Sequence, residues 1–183
     1  YLSETAYYDL ATYYFENGKY TYALKWFNKI RATDVASNKR NDYFFNRGYA
    51  LFASKRFKQA ETYFKKVEDV EKYQFDASYY LGYIAYQLDD YDVAAEKFNK
   101  VIVNQNDTTV GYFQADMNFN LGRFEQSLAI ARTSLEDANE NQTSELSKII
   151  GESYFNLNDY NSALPYLEVY KGKKGKWSNN DFY

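Results

Sequence analysis

The chain repeats itself. The stretch NRGYALFASKRFKQAETYFKKV at 46–67 is echoed by YLGYIAYQLDDYDVAAEKFNKV at 80–101, with glycines, aromatics, alanines and lysines in the same places. Three markers carry the echo along the sequence: a small residue, an aromatic nine residues on, and a second small residue three beyond that. The first marker falls at Ala11, Gly48, Gly82, Ala115 and Gly151. The second falls at Tyr20, Phe57, Tyr91, Phe124 and Tyr160, and the third at Ala23, Ala60, Ala94, Ser127 and Ala163. Successive first markers lie 37, 34, 33 and 36 residues apart, and the surplus residues sit in the connections around TDVASNK and EDANENQ. Length variation between copies, with none inside them, marks stacked modules that bury their apolar faces against one another.

Each copy reads as two helices. In the first, Tyr7, Leu10, Ala11 and Tyr14 recur at helical spacing, and Tyr20, Ala23, Leu24, Phe27 and Ile30 continue the pattern after a short break. The breaks hold turn-forming or polar residues: Asn17, Gly18 and Lys19; Lys55 and Arg56; Asp89 and Asp90; Leu121, Gly122 and Arg123; Asn158 and Asp159. This predicts ten helices in five antiparallel pairs, with reversals near 18, 55, 89, 122 and 158. Small residues at the first and third markers allow close helix crossing, and the aromatic of the second marker is expected to plug the end of each hairpin. Pro165 stands early enough in the fifth copy's second helix to bend that helix without breaking it.

Composition narrows the chemistry. With 45% apolar residues among 183, the chain can bury a core. It has no Cys and no His, which removes thiolate and imidazole chemistry and the usual zinc, iron and copper sites; no cofactor is expected. A formal charge of -3 and a pI near 5.1 oppose a general nucleic-acid binder, which needs a cationic surface. No apolar run is long enough to span a membrane, and YLSETAYYDL lacks the basic start and apolar core of a signal peptide. The 22 Tyr and 14 Phe demand packing partners.

The pattern resembles the tetratricopeptide repeat, a helix-turn-helix unit of about 34 residues. Family positions are met at Leu81, Gly82, Tyr86, Tyr91, Ala94 and Phe98 in the third copy, and at Gly48, Leu51, Phe57, Ala60 and Phe64 in the second. The fourth copy departs most, with Asn118, Ser127 and Ala131, and the family's closing proline is missing throughout. The resemblance implies an all-α, right-handed superhelical solenoid, a single array with repeats near 4–37, 41–74, 75–107, 108–141 and 144–177. Residues 178–183 read as the start of a further repeat, because Asp181, Phe182 and Tyr183 match Asp42, Tyr43 and Phe44, and the chain is expected to be part of a longer array. Lys171, Lys173, Lys174 and Lys176 read as a solvated linker, with an anion-binding patch as the sharper alternative.

In this family first helices line a concave groove. The resemblance implies groove residues at Tyr8, Thr12 and Phe15; Phe45, Tyr49 and Phe52; Tyr79, Tyr83 and Tyr86; Tyr112, Asp116 and Phe119; and Lys148, Glu152 and Phe155. Phe15, Phe52, Tyr86, Phe119 and Phe155 are expected to pack on a neighbouring repeat. Tyr8, Tyr49, Tyr79 and Tyr83 are expected to face a partner, since tyrosine joins an apolar body to a hydrogen-bonding tip. The clamp with which some family members hold acidic chaperone tails is not matched: Tyr8, Thr12, Asp76 and Tyr80 stand in its places, and only Asn46 agrees. The function implied is a non-catalytic interaction scaffold for a peptide or protein segment. An architectural spacer is the alternative, and a carbohydrate-binding or hydrolytic groove using Asp116 and Glu152, or the Asp89, Asp90 and Asp92 cluster, a weaker one. Asp90 and Asp92 also suit a helix start. Repeats rich in Tyr, Phe and Asn resemble long bacterial arrays of the cell envelope, which makes the envelope or periplasm the expected location.

Overall fold

The computed structural model describes the backbone of residues 4–105 and 108–170 and the side chains of 6–101 and 110–170; the lysine run and the 178–183 tail lie outside the described residues. Ten helices form five hairpins: α1 (Glu4–Glu16) with α2 (Tyr20–Phe27), α3 (Arg40–Ala53) with α4 (Phe57–Phe64), α5 (Gln74–Gln87) with α6 (Tyr91–Gln105), α7 (Thr108–Asn120) with α8 (Phe124–Leu135), and α9 (Glu140–Asn156) with α10 (Tyr160–Val169). The described residues contain no strand. The chain groups into two compact units, one running to Asn104 and the other starting at Gln105. The first holds three hairpins and the second two.

One backbone device makes every reversal. Seven residues after each first marker the chain enters the left-handed region, at Gly18, Lys55, Asp89, Gly122 and Asn158, with φ between 58° and 70°. The next residue's N–H bonds back to a carbonyl five residues earlier (Lys19 to Tyr14, Arg56 to Leu51, Asp90 to Ala85, Arg123 to Asn118, Asp159 to Tyr154) at 2.8–2.9 Å. This is the Schellman closure, which satisfies carbonyls orphaned at a helix end. The same residue's carbonyl then accepts from the third marker, Ala23, Ala60, Ala94, Ser127 or Ala163, at 2.9–3.1 Å. The spacing of the markers is therefore the length of the turn plus the first bond of the next helix. Asp159 adds a cap, its Oδ1 accepting from the Ser162 N–H at 3.2 Å. Helix α10 runs through Pro165 unbroken.

The small residues sit where the paired helices cross. A Cβ on Gly48 would lie 3.2 Å from the Phe64 ring, one on Gly82 2.8 Å from Phe98, and one on Gly151 2.6 Å from Leu167. In the fourth hairpin both sides are small, Ala115 and Ala131, each fully buried, and the Ser127 hydroxyl donates to the Ala115 carbonyl at 2.8 Å. The fourth copy's departures are thus one consistent packing solution in which a smaller partner accompanies a larger marker.

Within the first unit, Leu24, Ala50, Leu51, Ala60, Phe64, Val67, Ala77, Leu81 and Ile84 form one buried cluster, and Ala11, Ala23, Phe27, Ile30, Val35 and Tyr43 another. Arg47 ties the first two hairpins, donating to the Phe27 carbonyl at 3.0 Å and to Asn28 Oδ1 at 2.9 Å. The second unit is built on Ala115, Ala131, Leu146, Ile149 and Ile150. The inserted residues between α2 and α3 are ordered: they form two 3-10 turns at 32–34 and 37–39, bury Val35, and are held by Arg40 donating to the carbonyls of Ala32 and Val35. Before α9 the other insertion ends in a capping box in which the Asn139 and Gln142 side chains and N–H groups bond reciprocally at 3.0 Å.

Candidate interaction surface on the first helices

The second-marker aromatic pairs with a ring on its own first helix in every repeat: Phe15 with Tyr20, Phe52 with Phe57, Tyr86 with Tyr91, Phe119 with Phe124 and Phe155 with Tyr160, centroids 5.2–6.1 Å apart. In the first unit the next repeat lays a tyrosine on that pair. Tyr49 lies 5.7 Å from Phe15 and 5.3 Å from Tyr20, and Tyr83 lies 5.3 Å from Phe52 and 6.2 Å from Phe57. Tyr79 packs against Tyr80 at 5.4 Å and Phe98 at 6.2 Å. Tyr49, Tyr79 and Tyr83 are all half-buried: one side of each ring is held by neighbours and the rest meets solvent. Phe45 is also half-buried and stacks on Tyr73 at 4.5 Å, with the ring planes 19° apart. Tyr73 is anchored in turn, its hydroxyl donating to Asp42, which pairs with Lys72 at 2.8 Å.

The centre of this network is a residue whose importance sequence reading missed. Tyr80 touches Phe45, Tyr49, Phe52 and Phe64 at 4.8–6.3 Å, joining α3, α4 and α5. Burial, then the nearby Tyr49, Asp76 and Tyr79, push its phenol well above the ordinary value, so it stays a neutral hydrogen-bond donor. Its register position holds Asn46 one repeat earlier and Phe113 one later, so no periodicity pointed to it. The doubled aromatic at Tyr79 and Tyr80 was the available signal.

Two expectations are corrected by burial. Tyr8 is only 9% exposed and belongs to a core cluster. The ordered 33–40 connection lies beside it, with Lys39 Nζ 5.4 Å from its ring. Phe155, expected to pack on a neighbouring repeat, is 56% exposed, in contact with its own Tyr160. Phe15 and Phe52 do pack between repeats, Thr12 and Tyr86 are half-buried, and the ring contacts of Tyr86 and Phe119 described above lie within their own repeats.

The equivalent face of the second unit has another chemistry. Tyr112 is half-buried, and burial, followed by Asp116 and Glu145, raises its phenol well above the ordinary value. Asp116 Oδ2 accepts from the Asn120 amide at 3.1 Å. Lys148 Nζ lies 3.9 Å from Glu152 Oε1 and 4.9 Å from the Tyr170 ring centroid. This is a charge-compensated, partly solvated face of the kind that contributes little to stability. Asp90, from the acidic cluster, caps α6, its Oδ1 accepting from the Val93 N–H at 3.4 Å.

The model for the tetratricopeptide repeat matches residues 45–108. No curated protein matches the chain by sequence. Among solved structures, a mutant of the tetratricopeptide-repeat protein MamA is similar over 98% of this chain and 97% of its own, at 18% identity and a TM-score of 0.77. MamA AMB-1 is similar over 97% and 94%, at 18% identity and 0.76, and MamA from Desulfovibrio magneticus RS-1 over 96% and 97%, at 17% and 0.73. At such identities the likeness is one of fold. Five hairpins in one register are closed by one turn, the tetratricopeptide-repeat pattern is matched over 45–108, and the fold is similar to that of solved tetratricopeptide-repeat structures.

Proposed function

We propose that the chain is a non-catalytic interaction module that holds an extended segment of a protein partner against the first-helix rings of α3 and α5. Tetratricopeptide proteins bind protein partners, and the fold supports an interaction scaffold in general. The observation that carries the finer reading is the set of half-exposed tyrosines, Tyr49, Tyr79 and Tyr83, fixed by a continuous ring network within one compact unit. Rings already locked by their neighbours lose little rotamer freedom when a ligand arrives, and each offers an apolar edge beside a hydroxyl. An extended peptide with apolar side chains and free backbone amides answers both features. The repeat style supports the cell envelope as the place of action. Among the described residues no helix is long and apolar enough to cross a membrane.

The test is affinity capture with the intact chain, followed by titration of a captured peptide against single variants. Tyr79→Ala and Tyr83→Ala should each weaken binding about tenfold or more, since central aromatic anchors commonly carry about 2 kcal/mol. Tyr22→Ala, an exposed tyrosine on α2, should leave it unchanged. Equal affinity in all three variants would move the site off this face, and capture of no peptide would favour an architectural spacer.

A further inference from the structure

The aromatic strip of the first unit has a cationic edge. Along the first two reversals the rings run from Tyr20 to Tyr49, Phe52 and Phe57, with successive centroids 5.3–6.4 Å apart, and all four are half-buried. Two of these rings follow a cation directly in sequence, Tyr20 after Lys19 and Phe57 after Arg56, and Lys55 and Lys58 stand beside the second. All four cations are exposed, and no ion pair among the described residues uses any of them. The stretches FENGKY and FASKRFK thus hold four cations and one carboxylate, Glu16, in a chain whose formal charge is -3.

Helix stability does not explain these cations. Lys19 and Arg56 occupy the N-caps of α2 and α4, where a positive charge opposes the helix dipole; neither makes a side-chain cap, and neither helix has an acidic residue in its first turn. The same register position holds Asp90 in the third repeat and Asp159 in the fifth, and both accept from helix N–H groups, those of Val93 and Ser162. In the fourth repeat Arg123 is followed by Glu125 in the first turn of α8. The third reversal, YQLDDYD, carries three carboxylates and no cation, so within the first unit the cationic edge ends at the second hairpin.

We propose that the segment held on this face is acidic: an extended peptide whose apolar side chains lie on the rings of the first two hairpins and whose carboxylates meet Lys19, Lys55, Arg56 and Lys58. This rests on the reading that the first-helix face of the first unit holds a protein segment, and it adds the charge of that segment. The cations stand at the reversals, apart from Tyr8, Thr12, Asn46, Asp76 and Tyr80 at the places of the acidic-tail clamp. Charge at the edge of an apolar strip selects the partner and speeds encounter, while the buried rings supply affinity.

Three pools of end-capped peptides, alternating random apolar residues with Glu, Gln or Lys, test this by retention on the intact immobilised chain. A fourth pool keeps Glu and has Ala at the apolar positions. The apolar Glu pool should be retained most strongly and be released by added salt. Against a peptide from that pool, the double variant Lys19→Asp, Arg56→Asp should lose about tenfold in affinity, as reversal of two facing charges implies. It should melt at or above the wild-type temperature, because each Asp supplies a missing cap. Equal retention of the Glu and Gln pools, preference for the Lys pool, equal retention of the Ala pool, or unchanged affinity in the double variant each overturns the proposal. In those cases the groove itself stands if Tyr79→Ala or Tyr83→Ala weakens the retained peptide. Retention of no pool overturns the proposal and the groove together.

Discussion

The two compact units are made of the same hairpin and filled with different chemistry. In the first, Gly48 and Gly82 leave room for Phe64 and Phe98 at the crossings, and rings cover the first-helix face. In the second, the fourth hairpin crosses through Ala115, Ser127 and Ala131, the core is aliphatic around Leu146, Ile149 and Ile150, and the corresponding face carries Asp116, Lys148 and Glu152. The reversals do not change: all five use the left-handed residue and the same closing hydrogen bonds. The backbone device defines the hairpin, and any pair of side chains whose volumes fill the crossing completes it. The exposed first-helix face is then free to differ, and in the first unit it is aromatic.

The sharpest way to break this comparison is to empty a crossing. Phe98→Ala should cost about 3–5 kcal/mol, because Gly82 opposite has no side chain to collapse into the hole. Denaturant unfolding that shows a loss below about 1 kcal/mol would mean the crossing is not packed as described.

A smaller effect tests whether volume is what matters. Ala131→Phe places in the second unit the ring that the first unit uses, and should cost about 1–3 kcal/mol by overpacking against Ala115. Adding Ala115→Gly recreates the pairing of Gly82 with Phe98 and should recover most of that loss. Additive effects in this double-mutant cycle would show that the two positions do not meet.

The smallest expected effects lie at the reversals. Lys55→Gly should stabilise the first unit by about 1 kcal/mol, since lysine is strained at a φ of 58° and glycine is not. Gly122→Ala should destabilise the second unit by a similar amount through the same conformation; its missing Cβ faces open space, so no clash contributes. Thermal melts of the two variants should shift in opposite directions. Shifts of the same sign would show that the turns are not the shared element.

Much of the fold was legible because it is local and repeated. The reversals were placed near 18, 55, 89, 122 and 158, and each of those numbers is the left-handed residue itself. The markers were legible for the same reason, being tied by hydrogen bonds within a dozen residues. The candidate surface was legible only in part. Tyr49 and Tyr83 follow the repeat and could be assigned to a face. Tyr80 breaks the repeat, so its place at the centre of the ring network had no periodic signal. Tyr8 sits in register with Phe45 and was read alike, yet it is buried while Phe45 stays half-exposed. Tyr8 belongs to the core cluster with Ala11, Phe27, Ile30 and Val35, whereas Phe45 stacks on Tyr73 of the following connection.

By itself the amino-acid order determined the helical pairs, their register and the positions that had to stay small, because hydrogen bonds of four or five residues' span and a repeating apolar stripe are properties of a short stretch of chain. Tertiary structure decided which aromatic rings are covered. Whether Phe15, Phe155, Tyr8 or Tyr49 meets water depends on what another repeat or an inserted connection lays over it, and equal residues at equal register come out 5% exposed at Leu24 and 59% at Leu164. Burial is a relation between segments distant in sequence, and a repeat that looks the same in every copy carries no record of its neighbours.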